Sequence, residues 1–207
     1  MSMTQNVPAG GSAATNFGMV AWIVYAVVSG GGHWIVGSLG GLAIALVIVG
    51  QEYRCHATKI MSCTTAAFFA FSLVTTIAAG PMLFKDYNIF LTWAVFALVT
   101  WVTLFIGFPF TIQYAREQTP PEVWKEPLFM RLNVILTVVF GVVFTINAGL
   151  GVLALKTGNL LMLGLLLPLS LLVAAIVFSS RYPKGYAQRF APDWAARQTA
   201  GAGHANE

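Results

Sequence analysis

Apolar residues run almost without interruption through five segments, at about 34 to 50, 60 to 80, 89 to 114, 128 to 155 and 160 to 180. Each is close to the roughly 20 predominantly apolar residues that an α-helix needs to cross the hydrocarbon core of a bilayer. A sixth segment, about 17 to 29, is shorter and breaks at Ser29-Gly30-Gly31-Gly32. It either crosses with its flanks, as the first arm of a tight helical hairpin with the second segment, or leaves five spans plus a re-entrant piece. The pattern predicts an all-α fold, a polytopic membrane helical bundle of about six transmembrane helices. An open sheet in lipid would leave its edge N–H and C=O groups without partners.

Within the spans, Gly37-x-x-x-Gly41, followed by Ala43 and Ala45, forms a small-residue face that lets a neighbouring helix approach closely. Pro109 and Pro168 each remove a backbone donor and should bend the fourth and sixth spans. Trp93, Ala97 and Trp101 share one face of the fourth span and read as packing. The sharpest polar signal is Asn133 with Asn147, fourteen residues apart and so within about 40° of one another on a helix of 3.6 residues per turn. Thr137 and Phe140 continue the stripe between them. This stripe is either a polar track for a solute or ion, or a set of interhelical hydrogen bonds that fixes packing. Packing is favoured, because no Asp, Glu or Lys joins them in mid-membrane, where ion-coupled transporters usually place one.

Charge then orients the bundle. Only nine per cent of the 207 residues are charged against 57% apolar, and mean hydropathy is +0.77, far from the roughly 25% charged residues of a soluble domain. With six spans, Arg54, Lys59, Arg116, Lys125, Arg131, Arg181, Lys184, Arg189 and Arg197 fall on one side and only Lys85 and Lys156 on the other. That bias puts both termini on the cytoplasmic side of the membrane. Residues 1 to 16 are expected to form a flexible arm, 17 to 180 the transmembrane domain, and 181 to 207 a basic aromatic cytoplasmic tail that is disordered at its end. A cleaved signal peptide fits poorly, since no Lys or Arg precedes the first apolar run.

The stretch REQTPPEVWKEPLFMRLN, 116 to 133, holds six of the chain's charged side chains. Thr119-x-x-Glu122 is a capping-box pattern with Pro120 at the first helical position and Pro127 as a stop, predicting one turn of helix over about 120 to 126. Trp124 belongs at headgroup level, its N–H wet, in an interfacial clasp whose charges are solvated. In the tail, Tyr182, Tyr186, Phe190 and Trp194 recur every four residues with Arg181, Lys184 and Arg189 interleaved, although Pro183 and Pro192 argue against one continuous helix. Trp124, Arg131, Arg181, Lys184, Arg189 and Trp194 form a candidate interface for anionic headgroups, each basic group close to the surface contributing about 1 kcal/mol.

No catalytic constellation emerges, so a non-enzymatic protein without cofactor or metal is expected. Cys55 and Cys63 lack a metal-binding spacing, and His33 and His56 are predicted at opposite surfaces, out of reach for bis-histidine haem ligation. A nucleic-acid partner is not expected; membrane lipids, a membrane-protein partner or a second copy are. The ten-residue segments LFKDYNIFLT (83 to 92) and LFMRLNVILT (128 to 137) match at an offset of 45 and should run in opposite directions, as inverted repeats do in transporters. A small-solute transporter or channel along the fifth span is the rival function. A membrane-embedded enzyme on lipids, or an accessory subunit of a redox complex, is the third.

FKDYNIFLTWAVFAL (84 to 98), PPEVWKEP (120 to 127) and RLNVILTVVFGVVFTIN (131 to 147) carry a resemblance to the bacterial intracellular septation protein A family and related integral membrane proteins, over about residues 51 to 155. The resemblance implies an inner-membrane protein linked to envelope maintenance and cell division, acting through protein or lipid contacts, with no catalytic residues to carry over. The sixth span and the long basic aromatic tail depart from that family's pattern.

Overall fold

The computed structural model describes residues 11–119 and 121–190, and among them there is no strand. Seven α-helices follow in order: α1 (Gly11–Gly30), α2 (Trp34–Arg54), α3 (Ile60–Ala79), α4 (Met82–Phe105), α5 (Thr111–Arg116), α6 (Pro127–Thr157) and α7 (Leu167–Phe190). A 3-10 turn, Pro121–Lys125, precedes α6, and a π-helical segment, Leu160–Leu166, runs directly into α7. Among the described residues, five helices are long and apolar enough to cross a membrane, and the apolar part described in α1, Val20–Gly30, is shorter. The multi-pass helical bundle expected from the apolar pattern is the fold observed. Residues 11 to 16, expected in a flexible arm, are helical here.

Helix pairing follows small residues. Association in lipid gains little from hydrophobicity and depends on close packing. Gly37 lies against Ser29 and the Tyr25 carbonyl of α1, while Gly41 lies 3.1 Å, measured from a built Cβ, from the Phe69 ring of α3. The small-residue face thus admits two neighbours at once. A Cβ at Gly151 of α6 would come within 3.0 Å of the Phe90 backbone of α4, and one at Gly141 within 3.1 Å of the Trp101 ring. Those pairs, with Trp93 stacked on Phe144 and Trp101 Nε1 donating to Thr145 Oγ1 at 3.0 Å, fix α4 and α6 antiparallel. The two segments of the internal match therefore open oppositely directed helices.

A second, aromatic core joins α1, α3 and α4: Trp22 meets Phe69 at 4.7 Å and Phe68 meets Phe84 edge-on at 5.8 Å. Beside it, hydroxyls link four helices. Tyr25 Oη donates to Asn88 Oδ1 at 3.0 Å and so accepts from Ser72 Oγ at 3.3 Å, leaving Ser38 to donate to Ser72 at 2.8 Å.

Both prolines disturb their helices by different means. At Pro109 the helix breaks outright: α4 ends at Phe105, Gly107 adopts φ 78°, a region that L side chains rarely enter, and helix resumes only at Thr111. The bend expected inside a span of 89 to 114 is therefore a break after Phe105. At Pro168 the preceding π-helical turns shift the register and the helix continues. Helix α7 also continues through Pro183 to Phe190, contrary to the expected interruption. The missing donor there orphans one carbonyl at the exposed end of the bundle, where water can take its place. Pro192 lies outside the described residues.

Candidate functional site

The densest chemistry sits at the basic end of the bundle, where the α2–α3 turn meets α5. His56 takes a left-handed conformation, φ 51°, and reverses the chain after α2. The Ala57 N–H then donates to the Glu52 carbonyl at 2.9 Å, and Lys59 becomes the residue that opens α3. The first N–H groups of any helix lack intrahelical partners, and here other elements supply them. Lys59 N donates to Glu52 Oε2 at 3.0 Å, and Ile60 N to Gln113 Oε1 of α5 at 2.8 Å. Ser62 Oγ donates to Glu52 Oε1 at 2.8 Å.

The Lys59 ammonium completes the cluster. Its Nζ lies 2.9 Å from Glu117 Oε1, 3.9 Å from Glu52 Oε1 and 5.0 Å from the Tyr114 ring centre. Lys59 and Glu52 are 3% and 5% exposed and Glu117 25%. Two carboxylates thus face one ammonium. Burial, with Glu52 and Glu117 adding to it, pushes the Tyr114 hydroxyl well above its usual range. The solvated clasp expected over 116 to 133 is corrected: Glu117 turns inward to a buried partner. The single turn expected over about 120 to 126 is observed as the 3-10 turn Pro121–Lys125, and Pro127 follows it and opens α6. Thr119 Oγ1 donates to the Ala115 carbonyl at 2.8 Å and accepts from Trp124 Nε1 at 3.2 Å. An open groove lined by Thr58, Lys59, Ile60, Cys63, Thr64 and Ala67 lies alongside. Cys55 and Cys63 are free thiols, and among the described residues no group of three His, Cys, Asp or Glu could hold a metal ion.

Outside this lock, the same end forms a platform. Ile112, Val123, Phe129 and Leu132 bury together, with Trp124, Leu128, Tyr182 and Tyr186 packed against them. A 31-residue α6 is about 46 Å long, some 15 Å more than the hydrocarbon core, so one or both of its ends stand proud of the lipid. Trp124 Nε1 donates to the Thr119 carbonyl at 3.1 Å and to its Oγ1 at 3.2 Å, so the indole N–H has protein partners where the sequence predicts water. Arg116, Lys125, Arg131 and Arg181 are exposed. Helix α7 carries Lys184 and Arg189 in its backbone, and Trp194 lies outside the described residues.

Asn133, Thr137 and Asn147 are all buried, at 2%, 0% and 0% exposure. Thr111 Oγ1 shares one 2.9 Å contact with the Asn133 carbonyl and another with Thr137 Oγ1, while Asn133 Nδ2 donates to the Phe129 carbonyl at 2.8 Å. Asn147 Nδ2 donates to the Pro168 carbonyl at 3.2 Å. Phe140 meets Phe110 edge-on at 5.8 Å and the tilted Phe144 ring at 5.9 Å in the interval, so the two amides belong to separate polar sites. The Oδ1 atoms of both meet no donor among the described residues.

Searches of family models, curated proteins and solved structures match nothing to this chain.

Sequence reasoning missed Glu52, Lys59, Ser62, Gln113 and Tyr114. One signal was available. A carboxylate at a helix C-terminus and an ammonium at a helix N-terminus both oppose the helix dipole. Two such residues either side of a short turn call for compensation by each other.

Proposed function

We propose that the protein is a non-enzymatic, multi-pass protein of the bacterial plasma membrane, both termini cytoplasmic, that organises anionic lipids or a membrane partner at the basic end of its bundle. The observation that carries this is the joint packing of Trp124 and Leu128 with Tyr182 and Tyr186, which seats the 116 to 133 segment and the α7 extension on one platform with Arg116, Lys125, Arg131 and Arg181 outward. The charged groups of the buried lock support it further, because they are engaged with one another and with helix N–H groups. The resemblance over residues 51 to 155 points the same way, toward an envelope role through lipid or protein contacts.

Purification in mild detergent, followed by lipid and protein analysis of what remains bound, tests this. Enrichment of phosphatidylglycerol over phosphatidylcholine, or a stoichiometric membrane partner, is expected; recovery of neither overturns it. Reporter fusions should place residue 85 in the periplasm and residue 120 in the cytoplasm.

The transporter reading has one observation in its favour, the two buried amide oxygens without donors on α6. Replacing Asn133 and Asn147 with Leu should then abolish solute flux in a folded protein. On the lipid reading, the same variant keeps its bound lipid or partner.

A further inference from the structure

We infer that Arg116 is the headgroup-binding residue of an anionic-phospholipid site built at the break between α4 and α5. This rests on the lipid-contact reading above and narrows it to one place.

The guanidinium carbon of Arg116 lies 5.8 Å from the Phe108 ring centre and 5.2 Å from the Trp124 ring centre. Two aromatic rings restrict a side chain that otherwise has much rotamer freedom, so little more is lost when it binds. No carboxylate among the described residues pairs with it: its sequence neighbour Glu117 is taken up by Lys59. The Trp124 indole N–H is likewise occupied by Thr119. What remains free is the N–H edge of a planar fork, the geometry that matches two oxygens of a phosphate. The exposed Lys125 adds positive charge beside Trp124, against the exposed Glu122 on the same short turn.

The break supplies the second half of the site. Phe105, 82% exposed, and Ile106, 69% exposed, project from the end of a membrane span, three and two positions along the chain from Phe108. Large apolar side chains at a span end meet acyl chains, and the ring-held arginine lies just beyond. A free anion gains nothing from Phe105 and Ile106, and a lipid without net charge gains little from Arg116. An anionic phospholipid uses both.

The test reconstitutes the whole protein in nanodiscs with equal phosphatidylglycerol and phosphatidylcholine and counts retained lipids by native mass spectrometry. Wild type should retain phosphatidylglycerol about tenfold over phosphatidylcholine, and Arg116→Gln should remove most of that preference. Arg116→Lys should recover only part of it, because an ammonium lacks the planar fork. Lys156→Gln, at the opposite end, should leave it unchanged, and millimolar inorganic phosphate should not compete. Should Arg116→Gln fold poorly, Phe105→Ala with Ile106→Ala, both at exposed positions, decides the matter by the same loss. Unchanged preference in folded Arg116→Gln, or in the Phe105/Ile106 variant, overturns the site while leaving the wider lipid reading standing. Absence of any preference in wild type overturns both unless a protein partner is recovered, which spares the wider reading alone.

Discussion

Replacing Lys59 with methionine should destabilise the fold by about 3 kcal/mol. The ammonium is 3% exposed and neutralises Glu117 at 2.9 Å, with Glu52 at 3.9 Å. Without it, two carboxylates share one poorly hydrated site. Glu52 keeps its bonds from the backbone N–H of residue 59 and from Ser62 Oγ but loses its nearest positive charge. Removing one partner of a buried ion pair costs about 3 to 5 kcal/mol, and the lower end applies because Glu117, at 25% exposure, can recruit water. A triple variant, Lys59→Met with Glu52→Gln and Glu117→Gln, removes every charge while the amide oxygen at position 52 still offers an acceptor to the start of α3. It should recover to within about 1 kcal/mol of wild type, as charge-neutral replacements of buried pairs often do. Unfolding in dodecyl maltoside with increasing dodecyl sulfate, followed by tryptophan fluorescence, measures all three proteins. A Lys59→Met protein within about 0.5 kcal/mol of wild type would refute the isolated-charge account. A triple variant as unstable as the single one would refute it too, since lost stem packing, not isolated charge, would then be the cause.

The same assay serves two further predictions. His56→Gly should stabilise by about 1 kcal/mol, because glycine enters the left-handed region without steric cost whereas His56 holds φ 51°; a loss of stability would contradict this. Gly151→Ala should cost about 1 to 3 kcal/mol, since the new Cβ meets the Phe90 backbone at 3.0 Å, while Gly149→Ala, with open space around it, should be tolerated. Tyr114 should remain un-ionised past the ordinary tyrosine value of 10.0, so the wild-type minus Tyr114→Phe absorbance at about 295 nm stays flat where exposed tyrosines titrate. The folded state then holds a proton that the unfolded state releases, so the Tyr114 contribution to stability is intact below pH 10.0 and falls as pH rises above it. A Tyr114→Phe variant with the same alkaline loss would contradict that assignment.

The spans are legible because a run of about twenty apolar residues has one outcome in lipid, and the α4–α6 contact is foreshadowed by Trp93, Ala97 and Trp101 on one face. Gly37 and Gly41 signal close packing, but nothing in the motif says that they serve different neighbours. The break at Pro109 exceeds the bend that a proline alone predicts, because Gly107 two residues earlier lets the chain leave the helix altogether. Hydroxyls such as Ser38 and Ser72 are commonplace in membrane helices, so their link through Tyr25 to Asn88 exists only once four helices are assembled. The polar stripe on α6 is visible in the sequence, yet it is not continuous in space: a shared helix face does not exclude the Phe110, Phe140 and Phe144 rings from the interval.

The charge lock and the helix break explain each other. Had α4 continued unbroken, Gln113 would stand about 12 Å beyond Phe105 along the helix axis, away from the start of α3. The break lets α5 fold back so that Gln113 reaches Ile60 N at 2.8 Å and Glu117 reaches Lys59. Glu52 lies in the last turn of α2 with the wrong sign for that helix end but the right sign for the N-terminus of α3 beside which it sits, and Lys59 is tolerated at that N-terminus because two carboxylates attend it. Consecutive residues then divide the work: Glu117 anchors α5 to the buried cluster, and Arg116, held by Phe108 and Trp124, faces outward. The buried lysine thus anchors, through Glu117, the residue next to the surface arginine. Loosening the lock by Lys59→Met should weaken phosphatidylglycerol selectivity even though Lys59 itself is buried, and the charge-neutral triple variant should restore it.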